Sequence, residues 1–97
     1  MLHIVNKSPA ERTALASCLA HARAGHALIL IEDAVYAATK GGAAALAAAP
    51  AGLAVYVLAP DLQARGLAGK LADGVTAVDY KGFVDLAAAQ PRVQSWL

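Results

Sequence analysis

Few residues in this 97-residue chain are equipped for chemistry: one cysteine, three histidines and a thin set of charged side chains. Cys18 has no second cysteine to pair with, so it either packs or reacts. On a helix turning roughly 100° per residue, its close neighbours are Ala14, Leu15 and Ala22, so it falls within an apolar stripe. His21 lies three residues on, at the polar edge of that stripe and within reach of the thiol. A nucleophilic thiol usually draws its low pKa from a helix N-terminus or a neighbouring cation. Cys18 falls in the third turn, where the dipole has faded, which leaves His21 as its one assistant. The pattern therefore favours a packed cysteine, among the most buried of residue types, over a catalytic one.

The remaining candidates sit where strands are expected to end. Glu32 and Asp33 are adjacent and need not face one site, and no second acid is spaced to complete a general acid/base pair. Asp33 is expected to cap the helix that follows it, and Asp61 to serve as a first-turn acid. His3, His21 and His26 show no ligand spacing, and a single cysteine cannot anchor zinc, so no metal is expected. No cofactor is expected either. Lys40-Gly41-Gly42 is not a phosphate loop, and both the dinucleotide glycine fingerprint and the nucleophile elbow are absent. Arg65 and Lys70, set among glycines, form a small cationic patch, either solvated or facing a partner. Trp96 must pack on the core or on a neighbour, because a terminus frays unless tied down.

The elements that must position these residues read as alternating strands and helices. Strands are expected at Leu2 to Val5, Ala27 to Ile31, Ala54 to Leu58 and Val75 to Val78, with a fifth strand or an apolar tail from Val93. The run Ala27-Leu28-Ile29-Leu30-Ile31 lacks alternation, as in a strand buried on both faces. Ser8-Pro9-Ala10-Glu11 reads as a helix start with Ser8 as cap and Glu11 reaching back to it, and the helix is expected to run to about Ala24. Further helices are expected at Ala34 to Thr39, at Ala43 to Ala49, from Pro60-Asp61 until Gly66 ends it, and at Tyr80 to Ala89, with an added turn from Leu67 to Ala72. The sum is one domain over 1–97, a three-layer α/β/α sandwich on a mostly parallel sheet of about five strands. Ligands and partners of such sheets meet the carboxyl ends of the strands, which here carry Asn6-Lys7-Ser8, Glu32-Asp33, Pro60-Asp61 and Asp79-Tyr80.

Composition excludes several classes. The net charge is +1 and charged residues make up 15%, too little for a nucleic-acid-binding patch. The low-charge stretch from Ala43 to Ala59 is interrupted by Pro50 and Gly52, so no membrane span is expected. With no signal segment and one unpaired cysteine, the expectation is a soluble cytoplasmic protein. So little charge also makes a stable protein partner plausible.

Five segments, taken in order, carry a resemblance: M-L-H-x-V-N-K-S-P, L-I-E-D-A-V-Y-A-A, V-Y-V-L-A-P-D-L-Q-A-R-G-L, D-G-V-T-A-V-D-Y-K-G-F-V-D-L and V-Q-S-W-L. Together they resemble the DsrH/TusB family of sulfur-relay subunits over essentially the whole chain. The resemblance implies a DsrEFH-like fold and a cytoplasmic heterohexamer with DsrE/TusD-type and DsrF/TusC-type subunits. It also implies a DsrC/TusE-type sulfur acceptor, with the persulfide cysteine on the DsrE/TusD-type sister. The pathway is either intracellular sulfur oxidation or 2-thiouridine formation at the tRNA wobble position. E-R-T-A-L-A-S-C-L, with its cysteine, looks like the DsrH form, which leans toward sulfur oxidation. Within this family the chain is expected to act in assembly and acceptor docking, with Asp33, Tyr36, Arg65 and Trp96 as candidate interface residues. Two alternatives stand beside it: Cys18 as a persulfide carrier assisted by His21, and a stand-alone homo-oligomeric binding protein of the same fold. Ala34 departs from the glycine that relatives often carry after E-D, which puts the shape of that turn in question.

Overall fold

The continuous apolar runs become the middle of one parallel sheet, because strands covered on both faces need no alternation. The computed structural model of the chain describes residues 1–10 and 13–96. Its strands are β1 (Leu2–Val5), β2 (Ala27–Leu30), β3 (Ala54–Leu58), β4 (Val75–Val78) and β5 (Val93–Trp96). They lie in the order β4-β3-β2-β1-β5, and every pairing is parallel. β2 is central and buried at all four positions, whereas the edge strands β4 and β5 are largely exposed or half-buried. The segment from Val93 is thus a strand, with Leu2 opposite Val93 and Val5 opposite Trp96.

Helices cover both faces. On one face α1 (Ala14–His21) and α2 (Ala59–Ala64) pack with two 3-10 segments, Glu32–Ala38 and Ala43–Leu46. Leu15, Cys18 and Leu19 of α1 and Leu62 of α2 join Val5, Leu28, Leu30 and Val57 of the sheet in one core. Each fully buried leucine there contributes about 1.5–3 kcal/mol. On the other face α3 (Tyr80–Ala89) lies alone, with Phe83, Leu86 and Ala87 packed over Leu2, Ala27 and Ile29. This is the expected three-layer sandwich. Asp79 caps α3 by accepting from Gly82 N at 2.7 Å.

Local structure departs from the expected pattern in three places, one of them the helix expected over Ala43 to Ala49, which is a 3-10 segment over Ala43–Leu46. α1 is shorter than its periodicity implies. Ser8 Oγ accepts from Ala10 N at 3.2 Å and closes a turn instead of capping the helix, while Glu11 lies outside the described residues. The helix ends at His21 because Ala22 is extended (ψ 151°), and the chain then turns through Gly25 at φ +86° into β2. The segment after β2 is 3-10 instead of α. Thr39 and its flanks are drawn across to Leu71: Lys40 N donates to Lys70 O at 2.9 Å and Ala72 N to Ala38 O at 2.7 Å. The 3-10 turn rises more per residue and spans that distance. Gly42 is obligatory beside it, since a Cβ there would come within 2.0 Å of Tyr36 O.

Candidate functional site

The carboxyl ends of β2 and β3 meet at a charged rim. Glu32 follows β2 with φ +50°, a left-handed backbone that side-chain-bearing residues adopt at a cost of about 1 kcal/mol or more. Its amide donates to Asp61 Oδ2 at 2.7 Å, so the first acid of α2 holds the strained residue of the neighbouring segment. Asp61 therefore does more than complement the dipole of its own helix. Ala34, the departure noted in the sequence, is fully buried and is not among the positive-φ positions. The strain sits two residues earlier than the missing glycine implied.

Asp33 does not cap. The N-cap of its segment is Ile31, and no side chain caps there. The Asp33 carboxylate instead accepts from Arg65 Nη2 at 2.9 Å and Nε at 3.2 Å, while Arg65 Nη1 donates to Asp61 O at 3.3 Å. Arg65 is thus tied down, not solvated, whereas Lys70 is exposed. Tyr36, three residues on from Asp33 in the same 3-10 segment, is 44% exposed. Three of the four expected interface residues, Asp33, Tyr36 and Arg65, share this end of the molecule on the segments that follow β2 and β3.

Cys18 is placed differently. It is 0% exposed within the α1 core, and burial pushes its thiol up to about 12. A thiol so poised is about one part in 10⁵ thiolate at neutral pH. The ring of His21 engages elsewhere. Its Nδ1–H donates to Ser17 O at 2.8 Å, and its face lies 5.3 Å from the Trp96 ring.

Trp96 meets His3 and His21 directly and His26 through His3, a grouping that no sequence spacing suggested. Its indole Nε1–H donates to His3 Nδ1 at 3.1 Å, and His3 Nε2 lies 2.9 Å from His26 Nδ1. His3 is 1% exposed and lies next to β2 and β5 in the sheet. The only prior signal was a buried-looking histidine in an apolar strand; strand order supplied the rest. Among the described residues, no three His, Cys, Asp or Glu side chains are arranged to hold a metal ion. Among the described residues, a shallow, mostly apolar cleft is lined by Pro9, Thr13, Leu15, Ala16 and Ala45, none of them ionisable. No helix among the described residues is long and apolar enough to cross a membrane.

Two solved structures share this architecture. The ychN protein of Escherichia coli superposes with a TM-score of 0.72 at 19% identity, covering 98% of this chain and 97% of that one. The Tm0979 protein of Thermotoga maritima gives 0.67 at 20%, covering 95% and 97%. At such identities they show the fold alone. Sequence relatives carry more. The chain is 38% identical to the TusB protein of Erwinia tasmaniensis and 35% identical to that of Escherichia coli K12, each over 96 residues, 99% of this chain and all of the relative. The family model described as DsrH like protein matches residues 7–93. With this match over most of its length and relatives aligned end to end, the chain belongs to the DsrH/TusB family of sulfur-relay subunits.

Proposed function

We propose that the chain is the assembly and acceptor-docking subunit of a cytoplasmic complex that relays persulfide sulfur, and that it does not carry the sulfur itself. The observation that carries this reading is the contrast between Cys18, sealed in the core as a neutral thiol, and the open rim formed by Asp33, Tyr36 and Arg65. Persulfide exchange needs an accessible thiolate, and Cys18 offers neither access nor charge. In this reading homologous DsrE/TusD-type and DsrF/TusC-type subunits complete the complex, and a DsrC/TusE-type protein takes the sulfur at the rim. Full-length similarity to TusB proteins supports service in tRNA wobble thiolation, while the cysteine-bearing α1 segment supports the sulfur-oxidation route.

The test is a Cys18→Ser variant assembled with its sister subunits. Sulfur transfer to the acceptor should persist in the assembled complex. Mass spectrometry after sulfur loading should find the added sulfur atom on a sister chain. An intact variant complex that no longer transfers sulfur, or a persulfide on Cys18 of the wild-type complex, would overturn the proposal. Offering the loaded complex the two kinds of acceptor separately decides between the routes.

A further inference from the structure

The hydrogen bonds around His3 run in one direction only. An indole N–H can donate but not accept, so His3 Nδ1, 3.1 Å from Trp96 Nε1, must be the acceptor and carry no proton. A neutral His3 then holds its proton on Nε2, which faces His26 Nδ1 at 2.9 Å. The other end of the chain requires the same direction. The backbone N–H of Arg23 also donates to His26 Nδ1, at 3.2 Å, so that nitrogen is an acceptor too. Two donors that cannot reverse, one at each end, fix the tautomer of both rings.

We propose that the Trp96–His3–His26 chain is a proton-sensitive latch, which holds the edge strand β5 to β1 and to the start of β2 only while His3 is neutral. A proton added at His3 Nδ1 sets N–H against the indole N–H. That breaks the link between β5 and β1, while the Arg23 amide and His26 keep His3 Nε2–H as the donor on its other side. β5 has β1 as its one neighbour in the sheet, so its tethering depends on such links more than that of an inner strand. The surroundings reinforce the polarity. The ionisable groups acting on His3 are His26 ahead of β2, the α-amino group of Met1 ahead of β1 and His21 of α1, all of them cationic when charged. From β5 it meets the uncharged indole of Trp96. Burial and these neighbours hold His3 below its ordinary value of 6.5. The unfolded chain therefore takes up this proton first. The stabilisation is complete above about pH 6.5 and is lost as the pH falls below it. Acid thus loosens the strand that carries Trp96.

Trp96 is the only tryptophan, so its indole N–H resonance reports on the latch directly. The ¹⁵N-labelled full chain would be titrated from about pH 8 to about pH 5. The indole resonance should shift and exchange faster with water as the pH falls. Protection factors of β5 amides should drop about tenfold relative to those of β3 over the same range. His3→Asn keeps an acceptor for the indole but cannot be protonated, so its indole resonance should stay in place. His21→Gln removes the stacked ring and should leave the transition intact. A wild-type indole resonance that does not respond, or a response that survives in His3→Asn or vanishes in His21→Gln, would overturn the latch. Should His3→Asn fail to fold, the wild-type titration and His21→Gln still decide.

Discussion

Arg65 sets its guanidinium against a single oxygen of Asp33, with Nη2 2.9 Å and Nε 3.2 Å from Oδ1. The contact joins the segment after β2 to the end of α2, so two strand ends that are neighbours in the sheet also become one surface. The pair is only partly shielded, with side-chain exposures of 25% and 54%. Its worth to folding is accordingly about 0.2–1 kcal/mol, and less in high salt.

That modest energy makes the rim a clean place to separate stability from docking. Arg65→Ala and Asp33→Ala should each lower the free energy of urea unfolding by no more than about 1 kcal/mol. Capture of the sulfur acceptor by the assembled complex should fall at least about tenfold, a loss of about 1.4 kcal/mol. Acceptor capture that tracks the small stability change, or does not change, would remove the rim from the docking surface.

Glu32 gives a second prediction on the same surface. At φ +50° its backbone is strained, and the Asp61 carboxylate holds it there. Glycine adopts that region without a Cβ clash, at the expense of greater freedom in the unfolded chain. Glu32→Gly should therefore leave stability unchanged or raise it by up to about 1 kcal/mol, while Asp61→Asn should lower it. Thermal unfolding of both variants measures this directly. A clear loss of stability in Glu32→Gly would mean that the glutamate side chain makes a contact worth more than the strain.

The sheet was legible in the sequence because its signal is local. Continuous runs such as Ala27-Leu28-Ile29-Leu30 identify inner strands by composition, and the turn residues around them bound their length. The burial of Cys18 was legible for the same reason, as a position within a helical stripe. Asp33 was misread because a helix-initial acid has two uses, and choosing between them required Arg65, 32 residues away. The histidine chain was beyond reach, since His3 and Trp96 are 93 residues apart and meet only because β5 pairs with β1. The α1 start failed for another reason. The Ser8-Pro9 signal is a true turn signal, but one that closes a turn ahead of the helix instead of opening it.

Cys18 supplies a prediction whose sign follows from its burial. Its thiol is raised from an ordinary 9.0 to about 12 in the folded chain, because the core penalises the charged form. The unfolded chain therefore loses this proton first. The contribution to stability is complete below about pH 9 and is lost as the pH rises toward 12, by up to about 4 kcal/mol at the upper end. Cys18→Ala removes the titrating group and costs stability at neutral pH through lost packing. The wild type should therefore lose its advantage over Cys18→Ala as the pH is raised, when urea midpoints of the two are compared at each pH. Native Cys18 should also resist alkylation until denaturant opens the core. A thiol that labels quickly in the folded chain, together with an alkaline slope no steeper than that of Cys18→Ala, would place Cys18 at an accessible surface and restore it as a candidate sulfur carrier.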